Sequence, residues 1–526
     1  MRQETTQVLI VGGGPCGLML ANELGRRGIN AILIDQKVST AFNPQANATQ
    51  ARSMEYFRRL GFADEIRAMG MPDDYPTDIA YFTRFTTHEL GRVSLPSARE
   101  AQKLIKTMSG SWSAAELPHR VGQKFVEAVL YRHAKACPSI DLAFSSRVVV
   151  IEQTADGVMA ETEGVDGGPK RQIRAQYLVG ADGPRSLVRR HLGVEYSGDS
   201  DVNRDFMGGR MLALYLRAPM FYQICPYARS WMYCSFNAER RALLIAVDGK
   251  GEFVFHTQVR PDEDPNSVDD TKALDMFRQA VGATIPVDIL SRDFWIAGRA
   301  LVADSFRSGR MFLGGDAVHL FTPTGGMGYN TAIEDAVNLG WKLSAVLKRQ
   351  APEALLDTYE AERRPIAAEV LGLSTHLLKA AKDSGDMRRG RDTQQLDLGY
   401  PDSSLALQRA PLGEAIRAGD RAPDAPCRDS AARSVRLFDL FRGPHWTLLG
   451  YEPHPGAAVR PRAGLRIHRI GDGGNLRDNA GHFGDAYGLA AGDWVLVRPD
   501  GYVGVVVSTG RLGELEAYLD EVGLPA

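Results

Sequence analysis

Glycine turns that close on an acid recur three times in this chain. Together they have the chemistry to hold one long ligand carrying both phosphates and hydroxyls. Gly12-Gly13-Gly14-Pro15-Cys16-Gly17, Ala181-Asp182-Gly183 and Gly314-Gly315-Asp316 follow the apolar runs Val8 to Val11, Tyr177 to Val179 and Met311 to Leu313. Glycine lets backbone N–H groups approach a phosphate, and a carboxylate accepts hydrogen bonds from more than one hydroxyl. One such turn is commonplace. Three in one chain point to an extended dinucleotide.

The elements around the first turn are those a dinucleotide site requires. Val8 to Val11 reads as a strand, Leu18 to Arg27 has helical periodicity, and Ala31 to Ile34 is a second apolar strand ending at Asp35. Gly12, Gly14 and Gly17 satisfy GxGxxG at the strand-to-helix junction, with Pro15 opening the helix. The first glycine permits the turn, the second lets backbone meet a pyrophosphate, and the third brings helix and sheet together. Asp35, with Gln36 beside it, lies eighteen residues beyond Gly17, where an acid binds ribose hydroxyls. Arg52, in a polar loop entering a helix, has the reach for a phosphate or for the ring side of the ligand; a surface arginine is the competing reading.

The later turns extend the site. Ser186 is placed to cap a helix over Leu187 to Leu192, just after Asp182. Beyond Asp316 the block Phe321 to Asn330 carries Pro323, Gly325, Gly326, Gly328 and Tyr329, ahead of a helix expected over Thr331 to Lys348. Its glycines let backbone lie flat against a planar ring. The helix start adds free N–H donors that stabilise an anion by roughly 0.3–2 kcal/mol.

Composition narrows the alternatives. A chain of 526 residues suggests two or three domains, and a formal net charge of −2 argues against nucleic-acid or anionic-membrane partners. Arginine clusters such as Met387 to Arg391 read as solvated surface. Five cysteines with no CxxC, and no His cluster at ligand spacing, suit a reducing compartment without disulfides or metal. No apolar run reaches the roughly 18 residues of a membrane span. The expected location is cytoplasmic.

The motifs GGGPCG at 12–17, GADGPRSLVR at 180–189, and the stretch from Gly309 to Leu343 resemble those of single-component (group A) flavoprotein aromatic hydroxylases. That family includes phenol hydroxylases, chlorophenol monooxygenases and polyketide hydroxylases, and the likeness runs over about residues 5 to 380. It implies an α/β fold: a Rossmann-like FAD-binding domain of p-hydroxybenzoate hydroxylase type, an inserted substrate-binding sheet domain, and a C-terminal thioredoxin-like domain. The expected FAD residues are Gly12, Gly14, Pro15, Gly17, Asp35, Gln36, Arg52, Gln123, Asp182, Asp316, Pro323, Gly326, Gly328, Tyr329 and Asn330. The implied reaction consumes NADH or NADPH and O2, and oxygenates a phenolic ring through a C4a-hydroperoxide of the flavin.

On this reading the FAD domain comprises 1–77, 111–193 and 301–380, and the substrate domain 78–110 and 194–300. Strands are expected over Asp78 to Phe85, Met211 to Leu216, Trp231 to Phe236 and Ala242 to Val247, with Tyr222, Tyr227, Trp231 and Tyr233 as pocket or core aromatics. A linker at 381–412 leads to a final unit at 413–526, read as structural or dimerising, and the expected assembly is a homodimer.

One departure bears on substrate. Phenol hydroxylase-like members place an aspartate near the Arg52-Ser53 position to help ionise the phenol, and this chain has Asn47 there. Ionising a phenol of pKa about 10 at pH 7 costs roughly 4 kcal/mol. His88, Tyr222 and Tyr233 are the substitute candidates; alternatively the substrate is a nitro- or halophenol acidic enough to ionise alone. A polycyclic or polyketide substrate is the second reading. A halogenase lacks its WxWxIP-type motif here, a disulfide reductase its cysteine pair, and a flavin-binding sensor or scaffold remains the reading from another class.

Overall fold

The computed structural model describes residues 2–107, 113–200, 209–323, 325–384, 391–409, 416–478 and 480–525; Thr324 and Met387 to Gly390 lie outside them. Its first sheet carries five parallel strands in the order Met311–Leu313, Arg171–Gly180, Arg2–Val11, Ala31–Ile34 and Ile140–Ala143. Helices cover these strands, so Val8 to Ile10 and Ala31 to Ile34 are buried without alternation. The helix Pro15–Gly25 packs between Gln123–Ala136 and Met327–Leu347. Val11, Gly180, Leu313 and Ile34 are in register, so the turns after them emerge along one edge. Ligands bind at the carboxyl ends of strands in such sheets.

A second sheet has seven strands in the order Asp288–Ala297, Gly209–Arg217, Glu252–Gln258, Arg241–Ala246, Met232–Phe236, Ile79–Phe82 and Glu89–Val93. Period-two alternation divides its faces. Leu212, Leu214, Leu216, Phe253 and Phe255 are fully buried, and Phe255 meets Phe277 of the helix Asp270–Val281 at 5.3 Å. Tyr215 and Val254, on the other face, pack with Phe125 of the first domain.

The C-terminal unit is built on a mixed eight-stranded sheet, running Leu407–Arg409, Val503–Ser508, Asp493–Val497, Trp446–Tyr451, Leu465–Ile470, Leu476–Arg477, Pro426–Asp429 and Ser434–Arg436. Leu407–Arg409 falls inside the segment read as a linker, yet it pairs in parallel with Val503–Ser508. No described helix is long and apolar enough to cross a membrane, and no group of described residues is arranged to hold a metal ion. All five cysteines are free thiols.

Candidate functional site

The three turns converge because their strands are neighbours. Gly12 has φ +113°, and a Cβ there would overlap the backbone carbonyl of Ala181, which ties the first turn to the second. A Cβ on Gly314 or Gly315 would meet Cys16 at 3.2 and 3.1 Å, which ties the first to the third. Gly17 is locked likewise, its Cβ position overlapping the Gly12 carbonyl oxygen. Gly14 differs: no atom lies within 4 Å of its Cβ position, and it caps the helix Pro15–Gly25 with no side chain occupying the helix end. The free N–H groups of that end therefore open into unfilled space, with Pro15 at the first helical position.

The acids have diverged. Asp35 accepts the Gly13 N–H at 2.5 Å and the Lys37 N–H at 2.7 Å, bracing the turn while retaining lone pairs for a ribose. Gln36 beside it is exposed. Asp316 is exposed at the floor of the cleft, and none of the hydrogen bonds among described residues ends on its carboxylate. Burial by the surrounding walls raises its pKa, and nearby His319 opposes the shift. An acid both accessible and desolvated lines a cavity.

Asp182 is half-buried beside the Gly12 turn, and its carboxylate is engaged by the protein. Ser186 is the N-cap of the helix Leu187–His191, as expected, its Oγ accepting the Arg189 N–H and donating to one Asp182 carboxylate oxygen, while the Leu187 and Val188 N–H groups donate to the other. Arg52 is a correction. It is fully buried, with its guanidinium between the Tyr56 and Tyr502 rings at 4.4 and 4.7 Å, and it donates to Glu55 and to the Asp500 carbonyl. Arg52, Glu55, Tyr56 and Arg59 share one face of the helix Ala51–Leu60, and that face docks the C-terminal unit.

The block after Asp316 becomes helical four residues earlier than its periodicity suggests. The helix is Met327–Leu347, with Gly326 in the left-handed region (φ +65°) as its N-cap. Tyr329 and Asn330 therefore lie in the first turn. Asn330 accepts the Gln50 N–H and donates to the Ala48 carbonyl, while Gln50 Nε2 donates to the Gly325 carbonyl at 2.6 Å. These bonds press loop 46–50 against the helix start. Gly328 and Pro323 are half-buried beside it. Gln123 donates its backbone N–H to the Ala46 carbonyl and its side chain to Glu127 at 2.6 Å, bracing the same loop.

Two buried polar atoms around this junction, Asn47 Oδ1 and Gln50 Oε1, lack partners among the described residues, and the Thr49 and Tyr329 hydroxyls have only each other. Thr49 and Gln50 carried no recognisable motif; only the docking of their loop onto the helix reveals them. A ligand rich in donors and acceptors satisfies such atoms, whereas unpaired ones are rare in native interiors. With the open space at Gly14 and the unengaged Asp316, the residues present fit FAD.

The proposed bases lie elsewhere. His88 is exposed on the turn joining two strands of the second sheet. Tyr233 is buried against Phe82, Phe85 and Phe221 on the sheet's far face and accepts the Ser230 N–H. Tyr222 hydrogen-bonds Tyr75 at 2.8 Å and lies under Arg229. Burial drives both phenols above their ordinary pKa. Asn47 alone adjoins the cleft, its Nδ2 donating to the Pro44 carbonyl. The sheet face turned toward the first domain instead carries Tyr81, His256 and Trp295, which alternation from Met211 would have located across the strands.

Comparisons agree with this geometry. Residues 5–374 match the family described as an FAD binding domain. A flavin-dependent monooxygenase of Mycobacteroides abscessus is 33% identical over 96% of this chain and 98% of its own length. A 4-methyl-5-nitrocatechol 5-monooxygenase of a Burkholderia species is 30% identical over 94% and 93%. Among solved structures, aklavinone-11 hydroxylase in ternary complex with FAD and aklavinone superposes with a TM-score of 0.84 at 27% identity, covering 99% of this chain and 100% of that one.

Proposed function

This chain belongs to the group A FAD-dependent aromatic hydroxylases, and from that membership we propose that it oxygenates a phenolic ring using NAD(P)H and O2. In the overall reaction one oxygen atom enters the ring and the other leaves as water, NAD(P)H supplying two electrons. Bound FAD supplies the redox chemistry that the side chains lack.

The chain's own residues do the remaining work. The helix start at Pro15 receives the pyrophosphate, Asp35 a ribose, and Asp316 the ribityl hydroxyls. The start of Met327–Leu347 has no acidic side chain in its first turn, so its partial positive charge would stabilise negative charge on bound FAD. Loop 46–50, clamped by Asn330 and Gln50, closes one wall and keeps water from the reacting atoms.

The reading is carried by the half-buried inner face of the second sheet, where Ala213, His256 and Trp295 leave space that the opposite face does not. None of the expected bases serves that space, since Asn47 is an amide, His88 is exposed on a turn and burial weakens both tyrosines as acids, while burial lowers the pKa of His256 to about 4. The substrate therefore brings its own acidity, as a nitro- or halophenol or a hydroxyquinone does. A polycyclic, polyketide-like substrate is the second reading, favoured by the small side chain of Ala213 on the inner face and by the likeness to an aklavinone hydroxylase. We read residues 413–526 as thioredoxin-like, because Trp446–Tyr451 pairs in parallel with Leu465–Ile470 and antiparallel with Asp493–Val497.

The test is to follow NADH, NADPH and O2 consumption by the FAD-loaded protein across nitrophenols, halophenols and hydroxyquinones, with product analysis. Oxidation should accelerate with an oxygenated product and track the ionised fraction of each phenol. Failure of every phenol to stimulate oxidation would sink the proposal.

A further inference from the structure

Two buried nitrogen atoms on the inner face of the second sheet have no hydrogen-bond partner among the described residues. Met211 pairs with Trp295 and Ala213 with His256, so the two rings flank the strand Gly209–Arg217 on either side. Their centroids lie 5.8 Å apart at 85°. His256 Nδ1 and Trp295 Nε1 are shielded from solvent, yet neither takes part in a hydrogen bond among the described residues. Both side chains are nonetheless half-buried, as is Ala213, so open space adjoins the pair. Leu212, Leu214 and Phe255, on the other face of the same strands, are completely enclosed.

Buried polar groups in native proteins are paired, so two unpaired nitrogens on rings that border open space mark where a ligand supplies the partner as the rings turn to meet it. We propose that His256 and Trp295 form the recognition pair for the oxygen substituents of a planar aromatic substrate, an inference that rests on the hydroxylase reading of this site. Indole Nε1 only donates, so the ligand atom facing Trp295 is an acceptor: a phenolate, quinone or nitro oxygen. Imidazole Nδ1 donates or accepts according to tautomer, so His256 accommodates either a second acceptor or a neighbouring hydroxyl. The class that satisfies both is a fused or substituted ring with an acceptor oxygen beside a hydroxyl. Burial lowers the His256 pKa to about 4, so the ring is neutral near pH 7 and far too weak a base to ionise an ordinary phenol. Its part is to orient the substrate, leaving ionisation to the substrate itself.

The experiment titrates the FAD-loaded protein with alizarin, a dihydroxyanthraquinone, and with naphthalene, which carries no oxygen, reading the perturbation of the flavin absorbance. His256→Leu and Trp295→Phe should each weaken alizarin binding about tenfold, the loss of one hydrogen bond to a buried group. Naphthalene binding and flavin content should stay unchanged, and His256→Asn, which restores an amide near the Nδ1 position, should recover most of the lost affinity. Wild-type affinity for alizarin in both variants overturns the pair, as does a wild-type protein that does not prefer alizarin to naphthalene. Alizarin binding that depends on both residues, in a protein whose NAD(P)H oxidation no phenol stimulates, supports the pair and removes the hydroxylase reading.

Discussion

Asp182 and Asp316 follow neighbouring strands of one sheet, and their carboxylates have opposite fates. Asp182 accepts three hydrogen bonds at the start of the helix Leu187–His191, whereas no hydrogen bond among the described residues ends on the Asp316 carboxylate. Asp182→Ala should cost about 1 kcal/mol, the usual worth of a helix cap, and lower the thermal midpoint while flavin content stays near stoichiometric. Asp316→Ala should melt like the parent protein and lose its flavin on gel filtration. Retained flavin would remove that acid from the site. A third residue contributes to the acid limb of stability. Burial, aided by Arg67 and Arg120, lowers the His119 pKa to about 3, against about 6.5 unfolded. The unfolded chain therefore binds the proton first. Stability from neutral His119 is complete above pH 6.5 and is lost as pH falls toward 3. Between pH 7 and pH 5 this group should remove about 2 kcal/mol at roughly 1.4 kcal/mol per unit. Denaturant midpoints at the two pH values in the parent and in His119→Gln measure this: the variant should lose about 2 kcal/mol less, the remainder coming from other buried histidines such as His256.

At the scale of elements, the strand-to-helix junction separates folding from binding within three residues. Gly12→Ala sets a Cβ against the Ala181 backbone at a φ that side chains rarely adopt, so both the sheet edge and the cofactor site should fail. Gly14→Ala meets no protein atom and lies at φ −83°. It should fold with an unchanged melting curve yet hold FAD at least tenfold more weakly, about 1.4 kcal/mol, because the added methyl occupies ligand space. Equal FAD affinity in Gly14→Ala and the parent would place the dinucleotide elsewhere. The same junction shows a limit of pattern reading. Periodicity places the later helix from Thr331, but it begins at Met327, because glycine at 326 adopts the left-handed cap conformation and frees the following residues to be helical.

Across the whole molecule, the C-terminal unit is keyed into the first domain by the turn between its last two strands. Arg498 donates to Glu362 at 2.7 and 2.9 Å and to Asp500 at 2.6 Å, Lys342 adds a bond to Glu362 at 2.7 Å, and Trp341 donates to Asp500 at 2.8 Å. Arg52 and Arg59 reach the Asp500 and Pro499 carbonyls. These charged side chains are essentially inaccessible, and Arg498 and Lys342 hold the Glu362 carboxyl well below the usual range. Glu362→Ala leaves two buried cations facing each other, which should cost about 3–5 kcal/mol and lower the thermal midpoint of a single, chain-wide transition. A C-terminal unit that melts separately in the parent protein would contradict this coupling.

The sequence by itself determined the dinucleotide edge, because apolar strand runs, glycine turns and terminal acids are local, and each of the first sheet's expected strands forms. Asp35 and Asp316 were legible for the same reason. Only the tertiary structure decided which acids and cations remain available to a ligand. Arg52 and Asp182 have the right types at suggestive positions, yet a helix face turned to the C-terminal unit and a newly formed helix end take their hydrogen-bonding capacity. Conversely, Gln50, Thr49, His256 and Trp295 stand in no motif, and they gain meaning only where a loop or a sheet face closes over space. Hydrogen-bond satisfaction is a property of the folded neighbourhood, so no spacing along the chain reports which polar groups are left for the substrate.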